Sequence, residues 1–149
     1  MMGPVAGLFI ILIKIALNFV LNGTTTMGVG ELANMIGSIS YMLPTVLIYR
    51  RNKTEKVIGI SLVIGTILVS EATLFSNLFF IFPIYVKLYG MNIDMIVSMG
   101  RATNPYVTDL FSMMLFSMLP FNLFKYGAVS ILFLMVFKRL EKILRNSLD

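Results

Sequence analysis

Residues 120–139 read PFNLFKYGAVSILFLMVFKR, and this stretch decides the fold of the chain. From Phe121 to Phe137 it is apolar enough to enter a bilayer, with Asn122 and Lys125 near its start and Lys138 and Arg139 at its end. A proline suits the first turn of a helix because its missing N–H would be unpaired there anyway, so the reading predicts a membrane span over 120–138 opening at Pro120. Asn122 and Lys125 are three apart and share one helix face. Lys138, Arg139, Lys142 and Arg145 form a basic cluster of the kind kept in the cytoplasm. Asn122 and Lys125 are thereby placed near the outer surface. A lysine inside so apolar a segment marks a functional site by default, with a partner to be found.

The whole chain has the same character. Of its 149 residues 58% are hydrophobic and 13% charged, and the mean hydropathy is +0.90. That is an integral membrane protein of one bundle, all-α, because helices satisfy their own backbone in lipid. The net charge of +5 comes from clusters flanking apolar runs, which act as orientation signals and argue against a nucleic-acid partner. With no Cys and no His, disulfides, thiolate sites and the usual zinc and haem ligands are absent, and so is the commonest general base.

Four spans are expected, at about 4–21, 30–49, 57–82 and 120–138, with an external loop and short helix over 84–119 and both termini cytoplasmic. Residues 106–119 are too short to cross unaided and are predicted to pack on the outer rim. Pro83 is expected to close the third span, and Pro44 to be tolerated inside the second. Between the first two spans, Thr24 to Thr26 with Gly23, Gly28 and Gly30 make a turn whose hydroxyls and N–H groups suit either a ligand or plain solvation.

Counting a rise of about 1.5 Å per residue from the outer helix ends places every intramembrane polar group in the outer half. Lys14 comes roughly 10 Å and Glu71 on the order of 15 Å deep, with Asn34, Asn77 and Lys125 shallower. Polar side chains from four helices at one level suit an outward-open solute pocket. Each also has a plain structural reading. Glu31 suits a helix start for dipole reasons, worth about 0.3–1 kcal/mol, and Asn34 and Asn77 suit interhelical hydrogen bonds of about 0.6 kcal/mol each. Lys14 and Glu71 are predicted to form a structural ion pair, since an isolated charge in hydrocarbon costs several kcal/mol. The ligand-binding candidates are Asn122, Lys125, Asn77, Glu31 and Asn34. Catalytic and metal-binding residues are not expected.

A resemblance rests on G-P-V-A-G (Gly3 to Gly7), Ile13-Lys14, G-E-L-A-N (Gly30 to Asn34), L-P-T-V-L-I-Y-R (Leu43 to Arg50), A-T-N-P (Ala102 to Pro105) and L-P-F-N-L-F-K (Leu119 to Lys125). In order and spacing these resemble the riboflavin-specific substrate-binding subunit of energy-coupling factor transporters. The resemblance implies a flavin as transported ligand rather than cofactor, with Asn122, Lys125 and Asn77 at the vitamin. It also implies association with a membrane coupling protein and two ATPase subunits in a bacterial cell membrane. The family has six spans and the sequence aligns from the third, so an N-terminally shortened copy is expected, binding weakly or not at all as it stands. Glu71 departs from the family, which has an apolar or hydroxyl residue there. Two other functions remain open: an intramembrane enzyme using Glu71 or Glu31 as acid or base, and a structural remnant that binds nothing.

Overall fold

The computed structural model describes residues 3–23, 26–90 and 92–146. Thr24 and Thr25 of the threonine turn lie outside the described residues, as do the side chains of Lys142 and Arg145. The described chain is helical, with α1 (Pro4–Asn22), α2 (Val29–Arg51), α3 (Glu55–Ser76), α4 (Phe82–Tyr89), α5 (Ile93–Thr103), α6 (Leu110–Met113) and α7 (Leu119–Asn146). Four helical stretches are long and apolar enough to cross a membrane: Pro4–Leu21, Val29–Arg51, Glu55–Tyr89 and Leu110–Arg139.

Local chemistry sets the ends. Pro4 sits in the first turn of α1, and Gly23 follows its end at φ 65, a left-handed value that glycine adopts without a Cβ clash. The Thr54 hydroxyl accepts from the Val57 N–H at the start of α3, and Asn92 caps α5 by accepting from the Asp94 N–H. At α6 the Asp109 carboxylate accepts from the Ser112 N–H at 2.7 Å. This bond, supported by the Ser112 hydroxyl, holds the Asp109 carboxyl below its ordinary pKa.

Two expected boundaries differ. Pro83 does not end the third span and Pro120 does not begin the fourth. In each case a π turn immediately precedes the proline: Asn77–Ile81, closed by the Phe82 N–H on the Asn77 carbonyl, and Met114–Met118, closed by the Leu119 N–H on the Met114 carbonyl. A proline ring crowds the carbonyl four residues back, and a widened turn gives it room, so each helix carries on instead of stopping. Residues 110–118 therefore run on into α7 as part of the one apolar stretch Leu110–Arg139 and are not a separate rim helix. The short helix expected in the loop after the third span is α5.

α3 is the central helix, packed between α2 and α7, while α1 packs chiefly on α2. Its buried side is small and hydroxylated: Ser61, Gly65, Thr66, Ser70, Thr73 and Ser76. Small residues let membrane helices approach closely, and side-chain hydrogen bonds then fix the register. The Thr45 hydroxyl of α2 lies against the Tyr41 carbonyl at 2.7 Å and the Ser61 carbonyl at 3.3 Å, one residue beyond the tolerated Pro44. On α7, the Ser130 hydroxyl meets the Tyr41 hydroxyl at 2.7 Å and the Thr66 hydroxyl at 3.1 Å. Apolar side chains instead point outward, including Phe9, Leu17 and Val20 of α1 and Phe124 and Ile131 of α7, as expected where the solvent is lipid.

Leu74, Val97, Val107, Met113 and Met114 pack together as an apolar cluster that joins α5 to α3 and to the stretch leading into α7. Arg101 ties this cluster down, donating from Nε to the Val107 carbonyl and from Nη2 to the Thr108 carbonyl. Arg101→Met is expected to lower stability by roughly 1 kcal/mol, the low end for a charged donor because the pair is partly solvated. Hydrogen exchange should rise locally over residues 104–108, with helix content by circular dichroism unchanged.

Candidate functional site

α2, α3 and α7 converge on a cavity of about 170 Å³ lined by Asn34, Asn77, Asn122, Lys125, Thr73 and Tyr126 among others. A neighbouring cavity of about 360 Å³ shares Asn34, Lys125 and Tyr126 and adds Lys14, Ser38, Tyr41 and a wall from α1. Beyond Lys14 and Asn34 it continues into a broad cleft between α1 and α2 that Glu31 and Asn18 also line. The five ligand candidates Asn122, Lys125, Asn77, Glu31 and Asn34 thus line one connected groove.

Their roles within it differ. Asn77 is 8% exposed and spends its Nδ2 on the Thr73 carbonyl at 2.6 Å, which leaves its Oδ1 for a ligand. Asn122 is 7% exposed, yet its amide has no hydrogen-bond partner among the described residues and is not sealed from the groove. A buried amide retains the desolvation cost of its polar atoms unless something bonds them, so it is a ready-made ligand contact. Lys125 is exposed and holds its Nζ 5.3 Å from the Tyr126 ring centroid. Glu31 is held at the start of α2, where the Thr26 hydroxyl lies 3.4 Å from Oε2 and also accepts from the Gly30 N–H.

Lys14 and Glu71 are not brought together. Lys14 lines the cleft with Glu31 and Asn34, whereas Glu71 is on the exposed side of α3, outside that groove. The estimate of height for the two residues carried no information on facing, and α2 rather than α3 is the principal neighbour of α1. The carboxylate that shares a cavity with Lys14 is Glu31.

Tyr126 and Tyr41 were missed as lining residues. Their rings pack at 5.3 Å between centroids and 34°, giving the groove an aromatic wall. Tyr126 was within reach of the sequence, since it lies four residues from Asn122 and so on the same helix face.

A family model, ECF transporter, substrate-specific component, matches residues 1–137. The chain belongs to this family. As a member it is a multi-pass membrane protein and a transporter component rather than an enzyme. It is similar to the riboflavin transporter RibU of Staphylococcus aureus (strain TCH60), at 29% identity over 97% of this chain and 69% of that protein. It is also similar to the riboflavin transporter FmnP of Bacillus subtilis (strain 168), at 25% identity over 93% of this chain and 68% of the relative. No solved structure gives a significant match. In this family member the polar groove is the one described feature that offers a solute hydrogen-bonding groups from four membrane helices at once.

Proposed function

We propose that this chain captures riboflavin from outside the cell as the substrate-binding subunit of an energy-coupling factor transporter. The observation that carries the reading is Asn122, a buried amide without an internal partner, facing a groove with Asn77, Asn34 and Lys125. An amide donates and accepts along one edge, as a flavin ring edge does, and Lys125 and Glu31 suit polar hydroxyls of a ribityl chain. Tyr41 and Tyr126 supply an apolar face beside these groups, the usual composition of a small-molecule site. The names of the two relatives support the choice of riboflavin. As the family resemblance implies, uptake would then involve a membrane coupling protein and two ATPase subunits.

The test is titration of the protein in detergent with riboflavin, read as quenching of flavin fluorescence. Saturable one-to-one quenching is expected, unaffected by an unrelated vitamin such as thiamine. Linear, non-saturating quenching would leave the chain without this function.

A further inference from the structure

The cationic end of the bundle carries a second, separate cavity. It measures about 190 Å³ and lies between the ends of α1 and α2, the start of α3, and α7. Val46, Ile58 and Phe133 form an apolar part, and Tyr49, Arg50 and Lys53 a polar one. Arg50 and Lys53 make no ion pair or hydrogen bond with their side chains among the described residues. Arg50 reaches across to α1, its Nη1 lying 3.7 Å from where a Cβ on Gly3 would stand. Tyr49 is fixed edge-on against Phe137 at 6.4 Å and 81°. The first turn of α3 starts at the same place, so its positive dipole end adds to the two cations, opposed by the exposed Glu55.

We propose that this cavity binds an anionic phospholipid, with the phosphodiester headgroup between Arg50 and Lys53 and the glycerol end of the acyl chains against Val46, Ile58 and Phe133. Two features select a lipid over a free anion. The cations are joined to an apolar pocket of the same cavity, and the pocket sits at the level where α2 leaves the apolar zone, marked by Tyr49 and the basic run Arg50 to Lys56. By the positive-inside rule this is the cytoplasmic leaflet. A general attraction of basic residues to an anionic surface requires no cavity and does not distinguish Arg50 and Lys53 from Arg51 and Lys56. A built site does. All four side chains are exposed, but only Arg50 and Lys53 line the cavity. The proposal is independent of riboflavin capture, because the two cavities share no residue.

The delipidated protein in detergent is titrated with dioleoyl phosphatidylglycerol and, separately, dioleoyl phosphatidylcholine, with bound lipid counted by native mass spectrometry and inorganic phosphate as competitor. One phosphatidylglycerol should be retained in preference to phosphatidylcholine. Arg50→Gln with Lys53→Gln should weaken it about thirtyfold, each cation contributing about fivefold. Arg51→Gln with Lys56→Gln removes the same charge from the same loop and should change binding less than about threefold. Equal losses in the two double variants, equal retention of phosphatidylcholine, or full displacement by millimolar phosphate would each overturn the lipid site.

Discussion

Asn122→Ala is expected to weaken riboflavin binding by roughly 5- to 150-fold, the effect of leaving a desolvated ligand group unpaired at about 1–3 kcal/mol. Its effect on the ligand-free protein should be opposite in kind. Because the Asn122 amide has no hydrogen-bond partner among the described residues and opens on the groove, its removal breaks no internal hydrogen bond. The melting temperature without riboflavin should therefore hold or rise, while the stabilisation added by saturating riboflavin shrinks in proportion to the lost affinity. Lys125→Met, at an exposed position beside the same cavity, should show the same split with a smaller loss. A variant that melts early yet binds normally would make Asn122 a packing residue and remove it from the site.

The largest effect on stability is expected at Gly65. A Cβ built there meets the Thr45 hydroxyl and lies 3.2 Å from the Tyr41 carbonyl, a backbone atom that cannot turn aside. Gly65→Leu must separate α2 from α3, breaking the approach of Thr45 to the Ser61 carbonyl and moving Tyr41 from the groove wall. Overpacking of this kind costs about 1–3 kcal/mol before the lost contacts are added. The variant is expected to elute as aggregate on size-exclusion chromatography after heating that leaves the parent monodisperse. Gly59, on the same helix, has nothing within 4 Å of such a Cβ, so Gly59→Ala should be neutral or stabilise by up to about 1 kcal/mol. Matching losses at the two glycines would mean that the close contact of α2 and α3 at Gly65 does not govern the outcome.

How much of this was legible in the sequence differs from residue to residue. That the chain is all-helical with four membrane-length apolar stretches was, because apolar length is a property of the chain alone; α1 begins at Pro4 and ends at Asn22, against an expected 4–21, while the third and fourth stretches run past the expected 57–82 and 120–138. Asn122 and Lys125 were legible as a pair because three-residue spacing puts them on one face of whatever helix forms. The two prolines misled, since a proline reads as a boundary unless the preceding turn widens, and the π turns at Asn77–Ile81 and Met114–Met118 have no compositional signature. Lys14 and Glu71 misled for another reason. Height in the bilayer follows from counting residues, but facing depends on which helices are neighbours, and that is decided by small-residue contacts such as Gly7 against Met42 and Gly37 against Tyr126. The hydroxyl stripe of α3 is visible as spacing, with Ser61, Thr66, Ser70 and Thr73 recurring at five, four and three residues, and hydropathy alone passes over it.

That stripe bears on how the protein is made. Four of its hydroxyls already bond a carbonyl of their own helix, Ser61 to Ile58, Thr66 to Leu62, Ser70 to Thr66 and Thr73 to Val69, while the buried Ser76 hydroxyl has no partner among the described residues. The segment therefore presents few open polar groups to lipid, and it can leave the translocon as a lone helix before α7 has been synthesised. Assembly then consists of swapping acyl chains for neighbouring helices along a face that is largely satisfied, with the Thr66, Ser130 and Tyr41 hydroxyls finding each other and Thr45 finding the Ser61 carbonyl. The central helix of the bundle is in this sense also its most self-sufficient, so it is able to wait in the bilayer for the partners that close around it.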